Sequence, residues 1–436
     1  MALDKVTVGV LADEAVTSAK LDTNLQVDGT LGVTGNTTAS GNLTVTGNAT
    51  ASGNLTVTGD IVPTTPLSHR NLIINGGMQV WQRATGTTTA SSGYSTVDRW
   101  AIYENSGATV TSEKHTMSVT ELNTTGHRTA LRLNCTVADT SVAATDYIFV
   151  RTWLEGQDLQ QLQYGTANAK NITLSFWVKS DKTGVYSVAL NKNSATRTQI
   201  PLEYTISSAD TWEKKTITIT PTMGSTNLIA VAAGAIDNNT SGALAINFTL
   251  MVGDNNEATA NTWAASSTAW GTNAQVNWAN ETNDFYVTGV QLELGSNATP
   301  FEHRSFADEL RRCQRYYYVI ADQRGAGVGM AGTQTGTSQN PAFANVSVYH
   351  TNLTYFHVGF PVMMRAAVTY EQTSGTNYYM YYASGNSHGA DGFVANNQTM
   401  TSVRLNNSNG TLPGTTYGGW WQTGNAACFM AVSAEI

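Results

Sequence analysis

Between residues 29 and 64 apolar positions recur with a strict six-residue period. The hexads GTLGVT, GNTTAS, GNLTVT, GNATAS, GNLTVT and GDIVPT open on Gly29, Gly35, Gly41, Gly47, Gly53 and Gly59. Their third and fifth positions alternate as a half-buried strand requires: Leu31 and Val33, Thr37 and Ala39, Leu43 and Val45, Ala49 and Ala51, Leu55 and Val57. Gly followed by Asn or Asp supplies the positive φ of a tight corner, so each hexad reads as one strand and one turn. Such a ladder is thin, because Ala or Thr in alternate layers buries little apolar area at about 25 cal/mol per Å². A lone chain would also leave both sheet edges open, whereas three chains wound together pair every edge. The expectation is an intertwined homotrimeric β-hexad shaft with Leu31, Val33, Leu43, Val45, Leu55 and Val57 in its core. A disordered Gly/Thr/Asn linker is the alternative.

Period-two alternation returns at Leu131 to Val137, Ile172 to Val178, Val185 to Leu190, Ile217 to Ile219, Leu244 to Leu250 and Phe285 to Leu294. Strands separated by Gly, Asn, Asp and Thr clusters predict a two-sheet sandwich or jelly roll over 67–300. Pro63 and Pro66 close the hexads before it, since proline cannot donate to a ladder. One segment, 301–316, has helical spacing: Ser305 is a candidate N-cap, Asp308 and Glu309 sit in the first turn, and Phe306, Leu310, Cys313 and Tyr317 form one apolar stripe. That helix reads as a packing strut, with axial contact between three copies as a further option. Residues 317–436 are again β, a C-terminal sandwich tip, and 1–22 form a lead-in suited to virion attachment. The fold class expected is all-β throughout, with the shaft spanning 23–66.

Composition narrows the function. Charged residues are 12% of the 436, and the net charge is −8 with no Lys/Arg tract, which excludes the basic footprint that a nucleic-acid ligand needs. Cys135, Cys313 and Cys428 are odd in number and widely spaced, so they imply buried thiols and no disulfide framework or zinc site. The first sixteen residues lack the basic and apolar regions of a signal peptide, and no apolar run approaches the roughly 18 residues of a membrane span. Assembly in a host cytoplasm and no membrane insertion are the expectations.

Several segments share one ordered pattern: Asn71-Leu-Ile-Ile-Asn-Gly-Gly-Met-Gln-Val-Trp-Gln-Arg83, Asp98-Arg99-Trp100, Leu174-Ser-Phe-Trp-Val-Lys179, Gly289-Val-Gln-Leu-Glu-Leu-Gly295 and Ala298-Thr-Pro-Phe-Glu302. The helix with Cys313 and Arg315-Tyr316-Tyr317, then Phe360-Pro-Val-Met-Met-Arg-Ala-Ala367, then the ending Ser433-Ala-Glu-Ile436 continue it. This series, scattered over 68–436, resembles bacteriophage tail fibre proteins with a carbohydrate-binding-module-like jelly roll and a C-terminal receptor-binding β-sandwich. Val368 departs from the family pattern, in which proline usually follows. The resemblance implies a virion location, a tail or baseplate partner for the N-terminus, and a host surface polysaccharide or lipopolysaccharide as ligand. It also implies that Asn75 and Glu293 are candidate oxygen ligands for a structural calcium; no other cofactor is expected.

Apparent catalytic motifs lack their structural setting. Gly327 to Gly332 spells GxGxxG without a following helix pattern, and Gly385 to Gly389 spells GxSxG inside what reads as a loop between strands. The seven histidines show no paired metal spacing, and Glu155 with Asp158 and Asp308 with Glu309 are local acid pairs, not evidence of two acids converging across a cleft. The expectation is a non-enzymatic protein. Sugars present C–H faces and hydroxyl edges, so aromatic platforms with Asn, Gln and Thr neighbours are the candidates: Trp420, Trp421, Tyr378, Tyr379, Tyr381 and Tyr382. Adjacent strand residues face opposite sides, so only part of this set points outward. Trp81, Trp100 and Trp177 read as core. The sequence therefore supports a homotrimeric receptor-binding fibre, with a polysaccharide depolymerase or a structural capsid or collar fibre as alternatives.

Overall fold

The computed structural model describes residues 36–38, 44–45, 49–50, 68–84, 86–89, 92–322, 342–350, 353–383, 386–407, 419–425 and 427–436; for 342–350, 383 and 386 it describes the backbone only. The chain divides into two compact units, Met1–Val62 and Pro63–Ile436. Every element below belongs to the second. Residues 1–22 lie outside the described residues, as do Leu31, Val33, Leu43, Leu55 and Val57 of the expected shaft; Val45 is described, exposed and in no strand.

The fold is all-β, as the alternation implies. A six-stranded sheet runs, in spatial order, Thr88–Thr89, Thr109–Thr116, Thr129–Val137, Asp284–Leu294, Ile172–Ser180 and Glu213–Ile219. A five-stranded sheet runs Ala101–Asn105, Tyr147–Glu155, Gly242–Val252, Gly184–Lys192 and Thr198–Ile206. Every pairing of named strands among the described residues is antiparallel. The sheets close on one core, in which Leu131, Leu133, Leu174, Phe176, Val178, Val287 and Leu292 of the first meet Ile148, Val150, Val188, Leu190, Leu202, Ile246 and Phe248 of the second. Trp81 and Trp100 are buried with them, whereas Trp177 is half-buried in a small cluster with Met117, Trp212 and Tyr286. The alternation locates six of these strands, but those over Ala101–Asn105, Thr109–Thr116, Tyr147–Glu155 and Thr198–Ile206 were not anticipated, because apolar residues on both faces or charged residues on the outer one blur the period. A short helix, Val119–Thr125, was also missed; Ser118 and Glu121 cap it reciprocally.

The second helix is Phe306–Gln314, with Ser305 Oγ accepting from the Asp308 backbone N–H at 3.2 Å. Its stripe divides: Leu310 and Cys313 pack on Val80, Phe306 is exposed, and Tyr317 belongs to the next strand. The tip that follows has a three-stranded sheet, Tyr317–Asp322, Phe429–Ser433 and Thr369–Gln372, and a seven-stranded one. The latter runs Asn386–Ala390, Tyr379–Ala383, Gly419–Thr423, Ala342–His350, Leu353–Gly359, Ser402–Asn407 and Phe393–Asn396. Asn386 to Gly389 is therefore strand and not the loop expected, while Gly327–Gly332 lies outside the described residues.

Sandwich, helix and tip are locked by charge. Glu155, fully buried at the end of its strand, accepts from Arg315 Nε and Nη2 at 2.8 Å each, from the Tyr316 hydroxyl at 2.5 Å and from Gln157 Nε2 at 2.8 Å. Glu435 pairs with both Arg99 and Arg83, which lies 3.0 Å away, and Arg83 also meets Asp98 at 3.3 Å. Burial outweighs Arg83 and the bonds from Gln82, pushing the Asp98 carboxyl up to about 6. The guanidinium of Arg99 lies over the Tyr316 ring at 3.4 Å and that of Arg83 over Tyr317 at 3.6 Å. At Gly76, beside this lock, an added Cβ would meet the Val290 carbonyl oxygen at 2.1 Å, so only glycine lets the two backbones pass.

Candidate functional site

The aromatic candidates of the tip separate by strand alternation. Tyr379, Tyr381 and Trp421 point inward and are fully buried: the Tyr379 hydroxyl donates to the carbonyls of Thr373 (2.7 Å) and Phe429 (3.0 Å), and Trp421 Nε1 donates to Thr354 Oγ1 (3.1 Å). Their placement as ligand-binding residues is corrected, because a ring inside the sandwich offers no face to a ligand. Tyr378 is half-buried against the tip core. Tyr382 and Trp420 are directly opposed across their strands on the outer face, stacked at 6.0 Å with planes 11° apart, and Trp420 is 45% exposed. Ser387 extends their row beyond Tyr382. This is a small open platform.

Asn75 and Glu293, the calcium candidates, each brace a loop. Asn75 is buried with positive φ, its Oδ1 accepting from the backbone N–H groups of Gln79 and Val80 and its Nδ2 donating to the carbonyls of Val80 and Asp98. Glu293 instead accepts from Gln291 Nε2, the Thr299 backbone N–H and the Thr299 hydroxyl. Both side chains are engaged in bracing loops. No group of three or more His, Cys, Asp or Glu among the described residues is arranged to hold a metal. The local acid pairs likewise have structural work: Glu155 is in the lock, Asp308 accepts from the hydroxyl of the N-cap Ser305, and Glu309 accepts from the Asn75 backbone N–H and Arg304.

A larger arrangement sits on the outer face of the five-stranded sheet, and the sequence reading missed it. Along Tyr147–Glu155 the residues Ile148, Val150 and Leu154 enter the core, so Tyr147, Phe149, Arg151 and Trp153 project outward. Registry builds rows from them: Tyr103, Phe149, Thr249, Ser187 and Glu203; then Ala101, Arg151, Asn247, Ala189 and Pro201; then Trp153, Ala245, Asn191 and Gln199. Small residues occupy the centre of the face, and rings stand along one flank. Phe149 lies 5.3 Å from Tyr103, 5.2 Å from Tyr147 and 5.0 Å from Trp270. Arg151 is set among them, 4.6 Å from the Phe149 centroid, 4.9 Å from Tyr103 and 5.4 Å from Trp153, and its Nε donates to Asn247 Oδ1 at 2.6 Å.

Behind the rings the same face holds buried polar atoms that make no hydrogen bond within the protein: Ser187 Oγ, Asn191 Oδ1, both ends of the Gln199 amide, Asn247 Nδ2 and Trp270 Nε1. Buried polar groups are paired in the great majority of cases, and an orphan is costly. Five such residues share one face with Phe149, which is buried, and with Tyr103, Tyr147, Trp153 and Trp270, which are half-buried; rings can pack C–H faces and uncommitted polar groups can bond hydroxyls. The sequence signal was present as Tyr147-x-Phe149-x-Arg151-x-Trp153, an aromatic and cationic set at period two.

No family model matches the chain, and no curated protein matches it either. Solved structures that resemble it include a putative sugar binding protein from Bacteroides thetaiotaomicron, 13% identical with a TM-score of 0.28, covering 52% of this chain and 100% of that one. The family 11 carbohydrate-binding module of a Clostridium thermocellum cellulosomal cellulase is 13% identical with a TM-score of 0.25, covering 50% and 99%. The enzymatically active domain of bacteriophage CBA120 tailspike protein 4 is 11% identical with a TM-score of 0.24; the match covers 45% of this chain and 19% of the tailspike chain. Likeness at this level shows neither ligand nor activity for this protein.

Proposed function

We propose that the chain is a non-catalytic receptor-binding fibre of a phage virion. It trimerises through its hexads, attaches through its N-terminal segment to a tail or baseplate protein, and grips a host surface glycan. The observation that carries this reading is the outer face of the five-stranded sheet, where rings flank buried polar atoms without partners. The stacked Tyr382 and Trp420 of the tip support a second, weaker contact. The hexad period and the tail-fibre resemblance supply the virion setting. Trivalence suits such sites, because three linked contacts of low affinity gain avidity together.

The test is to add the full-length protein to a panel of bacterial cells and to their purified lipopolysaccharides and capsules. Saturable binding that blocks phage adsorption, with no shortening of the polysaccharide chains, is the expected result. Shortened chains would identify a depolymerase instead, and a protein that neither binds nor blocks would be a structural fibre. Solution mass provides the parallel check on assembly: a trimer of the 46.5 kDa chain is expected, reduced to a monomer with weaker cell binding when residues 1 to 66 are removed.

A further inference from the structure

Arg151 differs from most other arginines packed into the middle sandwich and its lock, and from Arg365, which donates to the carbonyls of Thr240, Ala434 and Glu435. Arg83 meets Asp98 and Glu435, Arg99 meets Glu435, Arg132 meets Glu113 and Asp284, Arg304 meets Glu302 and Glu309, and Arg315 meets Glu155. Arg151, largely buried among Tyr103, Phe149 and Trp153, has no carboxylate partner among the described residues. Its neighbours capable of negative charge are the phenols of Tyr94, Tyr103 and Tyr147, and burial lowers its pKa. Glu203, the acid in the adjoining row, is three strands away and accepts from the Thr272 hydroxyl. A guanidinium withdrawn from water without a counter-charge is unfavourable, and contacts with ring faces offset only part of that cost.

From this charge vacancy within the aromatic face, next to the unpaired Asn247 Nδ2, we infer that the site takes a saccharide bearing a carboxylate, such as a hexuronic acid residue of an acidic surface polysaccharide. The inference rests on the glycan reading above and narrows it to a ligand class. Arg151 Nε is committed to Asn247 Oδ1, which orients the plane, and the donors not engaged by Asn247 or the Tyr103 hydroxyl face the carboxylate as charge-assisted partners. Tyr103 and Trp153, in the rows before and after that of Arg151, are near enough to pack the pyranose C–H faces carrying the acid. Asn247 Nδ2, buried and without a partner, supplies a further donor. A single cation with rings fits one carboxylate on a sugar better than a phosphate dianion, which gathers several cations.

The experiment is calorimetric titration of the full-length protein with trigalacturonate and with its neutral counterpart, galactotriose. The acid should bind about thirty-fold more tightly, the worth of a charge-assisted bond, and Arg151→Gln should reduce that preference to within about threefold. Arg151→Lys, which keeps the charge and loses the fork, should fall between. The comparison of the two sugars on the unaltered protein needs no variant, so a misfolded Arg151→Gln leaves the test decisive. Equal affinity for the two sugars, a preference that survives in folded Arg151→Gln, or displacement of trigalacturonate by inorganic phosphate at equal concentration would overturn the inference. Binding of the neutral sugar without preference overturns the ligand class alone. Failure of the protein to bind either sugar, or any of the surface polysaccharides, overturns the glycan reading with it.

Discussion

Replacing Glu155 with Gln should loosen the tip from the middle sandwich. The carboxylate is fully buried, and its four donors come from Arg315 (two), Tyr316 and Gln157. Removing one partner of a buried ion pair typically costs about 3–5 kcal/mol, because the other charge stays desolvated. Arg315 is 22% exposed and reaches water in part, and Gln retains an acceptor for the Tyr316 hydroxyl, so the expected loss is near the lower end, about 3 kcal/mol. Urea unfolding followed by tryptophan fluorescence reads the change, and a double-mutant cycle with Arg315→Met isolates the pair, for which a coupling of about 2 kcal/mol is expected. A single variant within about 0.5 kcal/mol of the parent, or a coupling below that, would refute the claim that this pair joins the two modules.

Four further substitutions probe other links. Glu435→Ala strips the carboxylate from two buried guanidiniums, Arg83 and Arg99, and should cost roughly 3–5 kcal/mol in thermal denaturation although it lies next to the chain end; an unchanged melting temperature would count against the lock. Trp421→Ala should destabilise the tip by about 3–5 kcal/mol, whereas Trp420→Ala should change stability little and weaken cell binding instead, and equal effects on stability would contradict the inward and outward assignment. Burial, then His303 and Lys214, lower the His127 pKa to about 4, so the ring stays neutral in the fold while the unfolded chain takes up a proton near 6.5. Stability from this residue is thus complete above pH 6.5 and is lost as pH falls towards 4, by up to roughly 3 kcal/mol. The urea midpoint should fall less between pH 7.5 and 4.5 in His127→Gln, and an identical pH slope would exclude the histidine as its source.

The motifs that carried the family resemblance turn out to have structural work. Asn75, Arg83, Asp98, Arg99, Glu293, Arg315, Tyr316, Arg365 and Glu435 brace loops or join sandwich, helix and tip. Arg365 donates to the carbonyls of Ala434 and Glu435. Such residues are recognisable in sequence because several partners fix each of them at once. The glycan candidates are not spelled that way.

The sequence by itself determined what depends on near neighbours: the all-β character, six strands of the middle sandwich, the helix starting at Ser305, and the split between Trp420 and Trp421. Alternation and capping act over a few residues, so a linear reading captures them. Only the tertiary structure decided which outward faces matter. Arg151 and Asn247 are 96 positions apart and become neighbours through strand registry. That Arg151 lacks a carboxylate, while Arg315 finds one 160 positions away, is a property of packing. The same physical cause gives Asn75 and Glu293 their loop-bracing partners: a side chain's role is set by which groups surround it once the sheets close.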